Sequence, residues 1–272
     1  MRSRLDKLLL QRGLAPSRER SQALILAGRV LVNEQKVEKA GANVEADAAI
    51  RILGDDQPFV SRGGLKLARA LEHWHIDVRD KCCMDIGAST GGFTDSLLQS
   101  GASQVIAVDT GYGQMDLRLR SDARVYLLEK TNARYLTPEQ IWPGRERQGP
   151  ISFVAMDVSF ISATLVLPAV VRCARASALG NAFELVVLVK PQFEVGRGQV
   201  GKGGIVRDPQ AQQTAVARVT GAVEELGGTE IEVIDSPILG AEGNREFLLH
   251  ACCLPLPAKH LPRYTDAVDT EA

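Results

Sequence analysis

The chain has 272 residues, of which 45% are hydrophobic, so it has room for one large and one small domain with a proper core. Its formal net charge is −1, but residues 1–30 carry a local net charge of +5 and the remainder carries −6, which favours a polyanion-binding module attached to a catalytic body. No apolar run approaches the length of a membrane span and the N-terminus lacks a signal-peptide core, so we expect a cytoplasmic protein without a membrane partner.

The five cysteines are two adjacent pairs, Cys82-Cys83 and Cys252-Cys253, and Cys173. None of them is spaced from another cysteine, or from a neighbouring histidine or aspartate, as metal ligands are. The pattern predicts buried, reduced thiols and no metal site.

Residues 1–57 are predicted to form a small α+β domain. One side of a first helix, which ends at Gly13, is formed by Leu5, Leu8, Leu9 and Leu10. A second helix begins after the capping residue Ser17, has an apolar face of Ala23, Leu24 and Leu26, and stops at Gly28. Short strands follow at residues 30–33, around Val37 and Val44, and at residues 50–52.

Three segments of this domain, residues 4–9, 12–18 and 27–33, resemble the S4-type RNA-binding domain. The resemblance implies that Arg4, Arg18 and Lys39 contact RNA. Residues 58–63 are predicted to link the domains, and Arg62 within them is a further expected RNA contact. A helix is then predicted from Leu65 to His73, with Lys66 in its first turn, where the helix dipole disfavours a cation.

The next stretch is a strand, a glycine turn and a helix: residues 82–86, then Gly87 to Gly91, then a helix with Phe93, Leu97 and Leu98 on one face. A second apolar strand, residues 104–109, ends in Asp109, which can accept both hydroxyls of an adenosine ribose. The combination predicts a nucleoside-type cofactor, and because the spacing is not G-x-G-x-x-G it favours S-adenosylmethionine over NAD. The expected cofactor-binding residues are Asp85, Gly87, Ala88, Ser89, Thr90, Gly91, Gly92, Phe93, Asp109 and Asp157.

From there α and β segments alternate, with strands predicted at residues 124–128, 151–157, 184–190, 231–234 and 247–254. The helices between them include one that begins at Thr137-Pro138, one over residues 165–176 and one from Asp208-Pro209 to Leu226. The pattern indicates a doubly wound sheet with a final antiparallel hairpin. The second domain is expected over residues 64–256, and residues 257–272 are expected to be a frayed tail.

Three of the predicted strands end in polar residues, at the edge where ligands of such sheets bind: Asp109, Asp157 and Lys190. The Asn/Asp-Pro-Pro-aromatic sequence that grips a base amine is absent at the strand end that carries Asp157, which favours methylation of a hydroxyl. A lysine assists such a reaction by removing the hydroxyl proton or orienting the oxygen, and a second cation nearby, Lys66, favours its uncharged form. Glu246, entering the last strand, can balance the remaining charge.

Five motifs, at residues 61–67, 85–95, 157–162, 188–194 and 202–209, match the TlyA family, and the resemblance covers the whole chain. Members of this family join an S4 domain to a domain related to the FtsJ ribose methyltransferases, and many are called hemolysins. The resemblance implies a Rossmann-like α/β fold with a mostly parallel seven-stranded sheet and an antiparallel last strand. It further implies S-adenosylmethionine-dependent 2′-O-methylation of cytidine in 16S or 23S ribosomal RNA, and a catalytic tetrad of Lys66, Asp157, Lys190 and Glu246. A glycine-rich loop after Lys190 contains Lys202, a further expected RNA contact, and we expect a monomer.

Two other functions remain open at this point. A non-catalytic ribosomal RNA-binding or ribosome-assembly protein would keep the cofactor fold without methyl transfer. A membrane-active hemolysin would need an insertion segment, and the sequence offers no spanning segment and no evident amphipathic insertion helix.

Overall fold

The computed structural model describes residues 2–15, 17–53, 58–141, 149–177, 182–240 and 242–254. Internal contacts divide the chain into two compact units, Met1–Pro58 and Phe59–Ala272. The predicted tail at residues 257–272 and the polar segment 54–57 lie outside the described residues.

The first unit is built of two helices and short strands. In chain order its elements are β1 (Arg2–Arg4), α1 (Leu5–Gln11), α2 (Arg18–Leu26), β2 (Val30–Val32), β3 (Gln35–Lys36), β4 (Asn43–Glu45) and β5 (Ile50–Ile52). β1 pairs with β4, and β2 lies between β3 and β5, in each case antiparallel. As predicted, the Ser17 side chain caps α2, because its hydroxyl accepts a hydrogen bond from the Arg20 N–H.

The core of this unit is formed by one stripe of each helix. In α1, the leucines at positions 5, 8 and 9 are buried, as predicted, but Leu10 is exposed. Neighbouring residues on a helix point about 100° apart, so Leu10 leaves the stripe that the spacing i, i+3, i+4 defines.

The predicted apolar face of α2 is wrong for the same reason. Leu24 is buried, but Ala23 and Leu26 are exposed, and the buried stripe contains Ser21 and Ile25 instead. The positions 21, 24 and 25 again follow the spacing i, i+3, i+4.

The second unit alternates strands and helices. Its elements are α3 (Gly63–His73), β6 (Cys82–Ile86), α4 (Gly92–Gln99), β7 (Gln104–Val108), α5 (Leu117–Arg120), β8 (Val125–Leu128), α6 (Pro138–Ile141), β9 (Ile151–Met156), α7 (Ala163–Ser177), β10 (Phe183–Val189), α8 (Pro191–Glu194), α9 (Pro209–Glu225), β11 (Gly228–Asp235) and β12 (Phe247–Cys253). Single 3-10 turns lie at Ala133–Tyr135 and Arg197–Gln199.

The described strands of this unit form a seven-stranded sheet in the order β11-β12-β10-β9-β6-β7-β8. The neighbouring strands β10, β9, β6, β7 and β8 pair parallel to one another, and β12 is antiparallel to both of its neighbours. This confirms the predicted α/β fold, with its mostly parallel sheet and antiparallel last strand.

Both faces of the sheet are covered. α3 and α4 pack on one face, while α7 and α9 pack on the other. Successive strand residues point to opposite faces, so Cys82 and Cys83 enter different clusters and both are buried. Central strands buried on both sides have no polar face, which explains their continuous apolar sequences.

Candidate functional site

The carboxyl ends of β6, β7, β9 and β10 meet at one edge of the sheet, and the predicted polar residues gather there. The turn between β6 and α4 lies between two cavities, each of about 270 Å³. Gly87 and Ser89 line both cavities, so the turn connects them. Parallel α/β sheets bind ligands at this edge.

Two glycines shape this turn. Gly87 has a φ of +89°, and a Cβ there would collide with the backbone carbonyl of Asp157. Gly91 has a φ of +96° and caps α4, where a Cβ would collide with Leu119. The turn therefore requires glycine for both its backbone angles and its close approach to the β9 end.

The first cavity is centred on the end of β7. Asp109 lines it, and its carboxylate is held by two backbone groups: Oδ2 accepts the Ser89 N–H at 2.8 Å and Oδ1 accepts the Gly111 N–H at 2.6 Å. Each oxygen retains a second lone pair for a ligand hydroxyl. Thr131 and Asn132, which follow β8, line the same cavity.

The second cavity contains all four residues of the predicted tetrad, arranged as two ion pairs. Lys66 Nζ lies 2.5 Å from Glu246 Oε2, and Lys190 Nζ lies 2.5 Å from Asp157 Oδ1. The positive charges of the two ammonium groups offset the negative charges of the two carboxylates, so the net charge of this part of the cavity is close to zero. The structure thus brings together four residues that are far apart in sequence: one in α3, one directly after β9, one directly after β10 and one directly before β12.

Lys190 also contacts a residue that the sequence analysis missed. Its Nζ donates to Ser159 Oγ at 2.7 Å, within the segment that follows β9. Ser159 lines the first cavity as well as a third one of about 320 Å³. The sequence feature that could have identified Ser159 is its position two residues after Asp157, the aspartate at the end of a predicted strand.

The third cavity lies beside Lys190 and Glu246, both of which line it. Its wall includes Phe160, which is 93% exposed with a φ of +63°, and Phe193, whose ring centroid lies 5.4 Å from that of Phe160. An exposed aromatic ring beside a polar centre offers a surface on which a planar base can stack.

Asp85, predicted to bind the cofactor, lies beneath the turn. Its side chain is fully buried and lines neither the first nor the second cavity. Oδ2 accepts a hydrogen bond from Thr94 Oγ1 at 2.6 Å, and burial raises the pKa of the carboxyl to about 7. Asp85 therefore stabilises the region of the turn through its hydrogen bond with Thr94 in α4.

The remaining predicted cofactor residues belong to the turn and to the start of α4. Ala88, Thr90, Gly92 and Phe93 line the second cavity, and the Phe93 side chain is itself buried in the core. Arg62 lines the same cavity from the segment before α3.

In the first unit, Arg4 and Arg18 share one partner. Asp6 is fully buried, and its Oδ2 lies 3.0 Å from Arg4 Nη2 and 3.1 Å from Arg18 Nε. The two arginine side chains remain 44% and 45% exposed. Lys39 is also exposed, as is Lys202 in the second unit.

No group of three or more His, Cys, Asp or Glu side chains in the described part of the chain is arranged to hold a metal ion. Nor is any helix there both long and apolar enough to cross a membrane.

Comparison with known proteins agrees with this geometry. The family model for FtsJ-like methyltransferases matches residues 59–252, and the S4 domain model matches residues 3–50. The chain is 46% identical over 249 residues to the 16S/23S rRNA (cytidine-2'-O)-methyltransferase TlyA of Mycobacterium tuberculosis, covering 91% of this chain and 89% of that protein.

Two further relatives carry the name hemolysin. Hemolysin A of Brachyspira hyodysenteriae is 39% identical, covering 91% of this chain and 98% of that protein. A solved structure described as a candidate hemolysin from Streptococcus thermophilus is 39% identical with a TM-score of 0.67, covering 94% of this chain and 90% of that one. The chain therefore belongs to the FtsJ-like methyltransferase family, in the TlyA group of proteins that carry an S4 domain ahead of the methyltransferase domain.

Proposed function

We propose that this protein transfers the methyl group of S-adenosylmethionine to a ribose 2′-hydroxyl of ribosomal RNA, with cytidine as the target nucleoside. The observation that carries the proposal is the pair of lysine–carboxylate contacts, Lys66–Glu246 and Lys190–Asp157, in a cavity bounded by the glycine turn. The name of the M. tuberculosis relative supports ribosomal RNA and cytidine.

The first and second cavities fit S-adenosylmethionine. The turn at Gly87 and Ser89 lines both cavities, and the Asp109 carboxylate is held by two backbone N–H groups with lone pairs left for ribose hydroxyls. Thr131 and Asn132 offer polar groups for the adenine, and Asp157 faces both cavities, where it suits the cationic end of the ligand. When bound, the cofactor supplies an electrophilic methyl group.

Lys190 is proposed to orient the 2′-hydroxyl or, in its neutral amine form, to accept the hydroxyl proton. Asp157 and Ser159 hold the Lys190 Nζ, and so restrict where that atom lies. The Lys66–Glu246 pair supplies a second cation and its counter-charge in the same cavity. Fixed groups of this kind lower the barrier by positioning and by electrostatics.

The S4 domain is proposed to grip ribosomal RNA by phosphate contacts. Arg4 and Arg18 present half-exposed guanidinium groups, and Lys39 adds an exposed cation. In the second unit, Arg62, which borders the tetrad cavity, and the exposed Lys202, in the loop after Lys190, are proposed to contact the target strand.

The test uses radiolabelled S-adenosylmethionine with purified 30S, 50S and 70S particles from a strain lacking the gene. We expect label in a 2′-O-methylcytidine, located by nuclease digestion and nucleoside analysis. Lys190→Ala should abolish transfer while cofactor affinity is retained, and an active variant would remove Lys190 from the catalytic group.

Two results would favour the alternatives. Cofactor binding without label on any particle would point to a ribosome-assembly role. Leakage of liposomes by the purified protein would revive the membrane-active function.

A further inference from the structure

Glu194 is a buried carboxylate outside the tetrad. It is 3% exposed and lies at the end of α8, the single turn that follows Lys190. Its Oε1 accepts the Ala163 N–H at 2.7 Å, and its Oε2 accepts a hydrogen bond from Ser162 Oγ at 2.5 Å. One side chain therefore bonds the segment after β10 to the N-terminus of α7.

The two segments that Glu194 joins carry half of the tetrad and its contacts. Asp157, Ser159 and Phe160 lie between the end of β9 and Ser162, while Lys190 lies between β10 and α8. Among the described residues, the Lys190 ammonium contacts Asp157 Oδ1 and Ser159 Oγ, and both contacts cross from one segment to the other. A shift of one segment against the other would change both distances.

The segment after β9 is strained. Phe160 has a φ of +63°, a left-handed conformation that an aromatic residue rarely adopts. Such a conformation persists only where its neighbours hold it in place. On the near side, the Asp157 N–H donates to the Ile86 carbonyl at 2.8 Å, and on the far side Glu194 holds Ser162 and Ala163.

A capping role for α7 does not by itself explain a buried carboxylate here. Ser162 Oγ already accepts the Thr164 N–H at 3.3 Å, so α7 has a local cap of the usual kind. Burial raises the pKa of Glu194, which shows that its charged form is disfavoured at this position. Glu194 adds what the local cap lacks, which is a bond between the start of α7 and the segment after β10.

We propose that Glu194 is a positioning residue, whose carboxyl group locks the segment after β9 to the segment after β10 and so sets the contacts of Lys190 with Asp157 and Ser159. The inference rests on the proposed methyl transfer for its kinetic consequence, whereas the geometric consequence stands without it.

The kinetic test compares Glu194→Ala with Glu194→Gln and with a matched control, Asp208→Ala. Asp208 is also a carboxylate that caps a helix, accepting the Gln210 N–H at 3.1 Å, but it does not join the two segments. We expect Glu194→Ala to lower kcat by about 100-fold, as misplacement of a reacting group by ~1 Å does. The Kd for S-adenosylmethionine should stay within about twofold of the wild-type value, because the variant leaves the residues that bind the cofactor unchanged.

Glu194→Gln should recover most of the lost rate, because the amide oxygen still accepts the Ala163 N–H. Asp208→Ala should lose a similar amount of thermal stability without the loss of kcat. A Glu194→Ala enzyme with unchanged kcat, or a Glu194→Gln enzyme as slow as the alanine variant, would overturn the proposal.

A second measurement does not depend on activity. Lys190 is 9% exposed, so it should react slowly with an amine-specific reagent such as trinitrobenzenesulfonate, as read by peptide mass spectrometry. Glu194→Ala should raise the labelling rate of Lys190 at least tenfold, and Asp208→Ala should not. If the wild type methylates no particle, the proposed function fails, while unchanged labelling of Lys190 in Glu194→Ala overturns the positioning role. If Glu194→Ala is insoluble, Ser162→Ala takes its place; it removes one of the two Glu194 contacts together with the local cap of α7. It should raise the labelling rate of Lys190 by a smaller factor, and an unchanged rate would also overturn the role.

Discussion

Lys66 and Glu246 are 180 positions apart in sequence, yet the Lys66 Nζ lies 2.5 Å from the Glu246 Oε2. The two side chains are only 10% and 3% exposed. The pair ties α3, on one face of the sheet, to the entry of the antiparallel strand β12. A buried pair of this kind is costly to break from one side, because the remaining charge is left in a poorly solvated place.

Glu246→Ala should therefore lower the free energy of unfolding by about 3–5 kcal/mol, as the loss of one partner of a buried ion pair does. The double variant Lys66→Met/Glu246→Leu removes both charges and should regain most of that stability. Methyl transfer should be lost in both variants if the pair serves catalysis. Urea unfolding followed by tryptophan fluorescence measures this, since Trp74 lies in the second unit. A double variant that is fully active would remove the pair from catalysis, and one that regains no stability would contradict the argument from an unpaired buried charge.

Much of the site followed from the sequence because strand ends can be located without tertiary information. Gly87 to Gly91, Asp109 and Asp157 each follow an apolar run, and the carboxyl ends of parallel strands meet at one edge. Glu246 is different: it precedes β12, and only an antiparallel last strand brings its N-terminal end to that edge. Its position at the entry of the last strand suggested a counter-charge, and the resemblance to the TlyA family implied its place in the tetrad.

The parts that could not be predicted depend on contacts between loops. Nothing in the local sequence shows that Glu194 reaches Ser162, or that Asn244 Oδ1 accepts the Val206 N–H at 3.0 Å while its Nδ2 donates to the Gly204 carbonyl at 2.9 Å. Such bonds join segments whose separation is set by the whole sheet. A strand-end pattern predicts which residues lie at the edge, but not which of them touch.

Asp85 predicts a pH dependence of stability. Its pKa is raised by burial from 3.8 to about 7, so between these values the native state holds a proton that the unfolded chain has released. The free energy of unfolding should therefore fall as the pH rises across that window, relative to Asp85→Asn, which cannot ionise and still accepts from Thr94. Urea unfolding at several pH values between 4.5 and 7.5 measures the difference. Asp80→Asn, at an exposed position, is the control. It keeps Asp85, so its free energy of unfolding should change with pH as that of the wild type does.

Asp109 predicts a selective loss of cofactor affinity. Asp109→Ala removes the proposed acceptor of the ribose hydroxyls and also frees the Ser89 and Gly111 N–H groups. A hydrogen bond to a charged group contributes about 1.5–3 kcal/mol, so the Kd for S-adenosylmethionine should rise by roughly 10- to 100-fold. Isothermal titration calorimetry measures this, with Lys190→Ala as the control that keeps its affinity. Equal affinity in wild type and Asp109→Ala would place the ribose elsewhere.

Arg4 and Arg18 predict a change in the salt dependence of RNA binding. Because both guanidinium groups are fixed by the buried Asp6, they are presented together, and each is expected to neutralise one phosphate. Each single alanine variant leaves Asp6 with the other arginine, so the unit should remain folded. The slope of log K against log salt for ribosomal RNA should become shallower by about one for each variant, while affinity for S-adenosylmethionine is unchanged. Arg79→Ala, at an exposed arginine of the second unit paired with Asp77, is the matched control and should leave the slope as it is. A slope that stays the same in Arg4→Ala and Arg18→Ala would remove both residues from the RNA interface and leave their pairing with Asp6 as a purely structural contact.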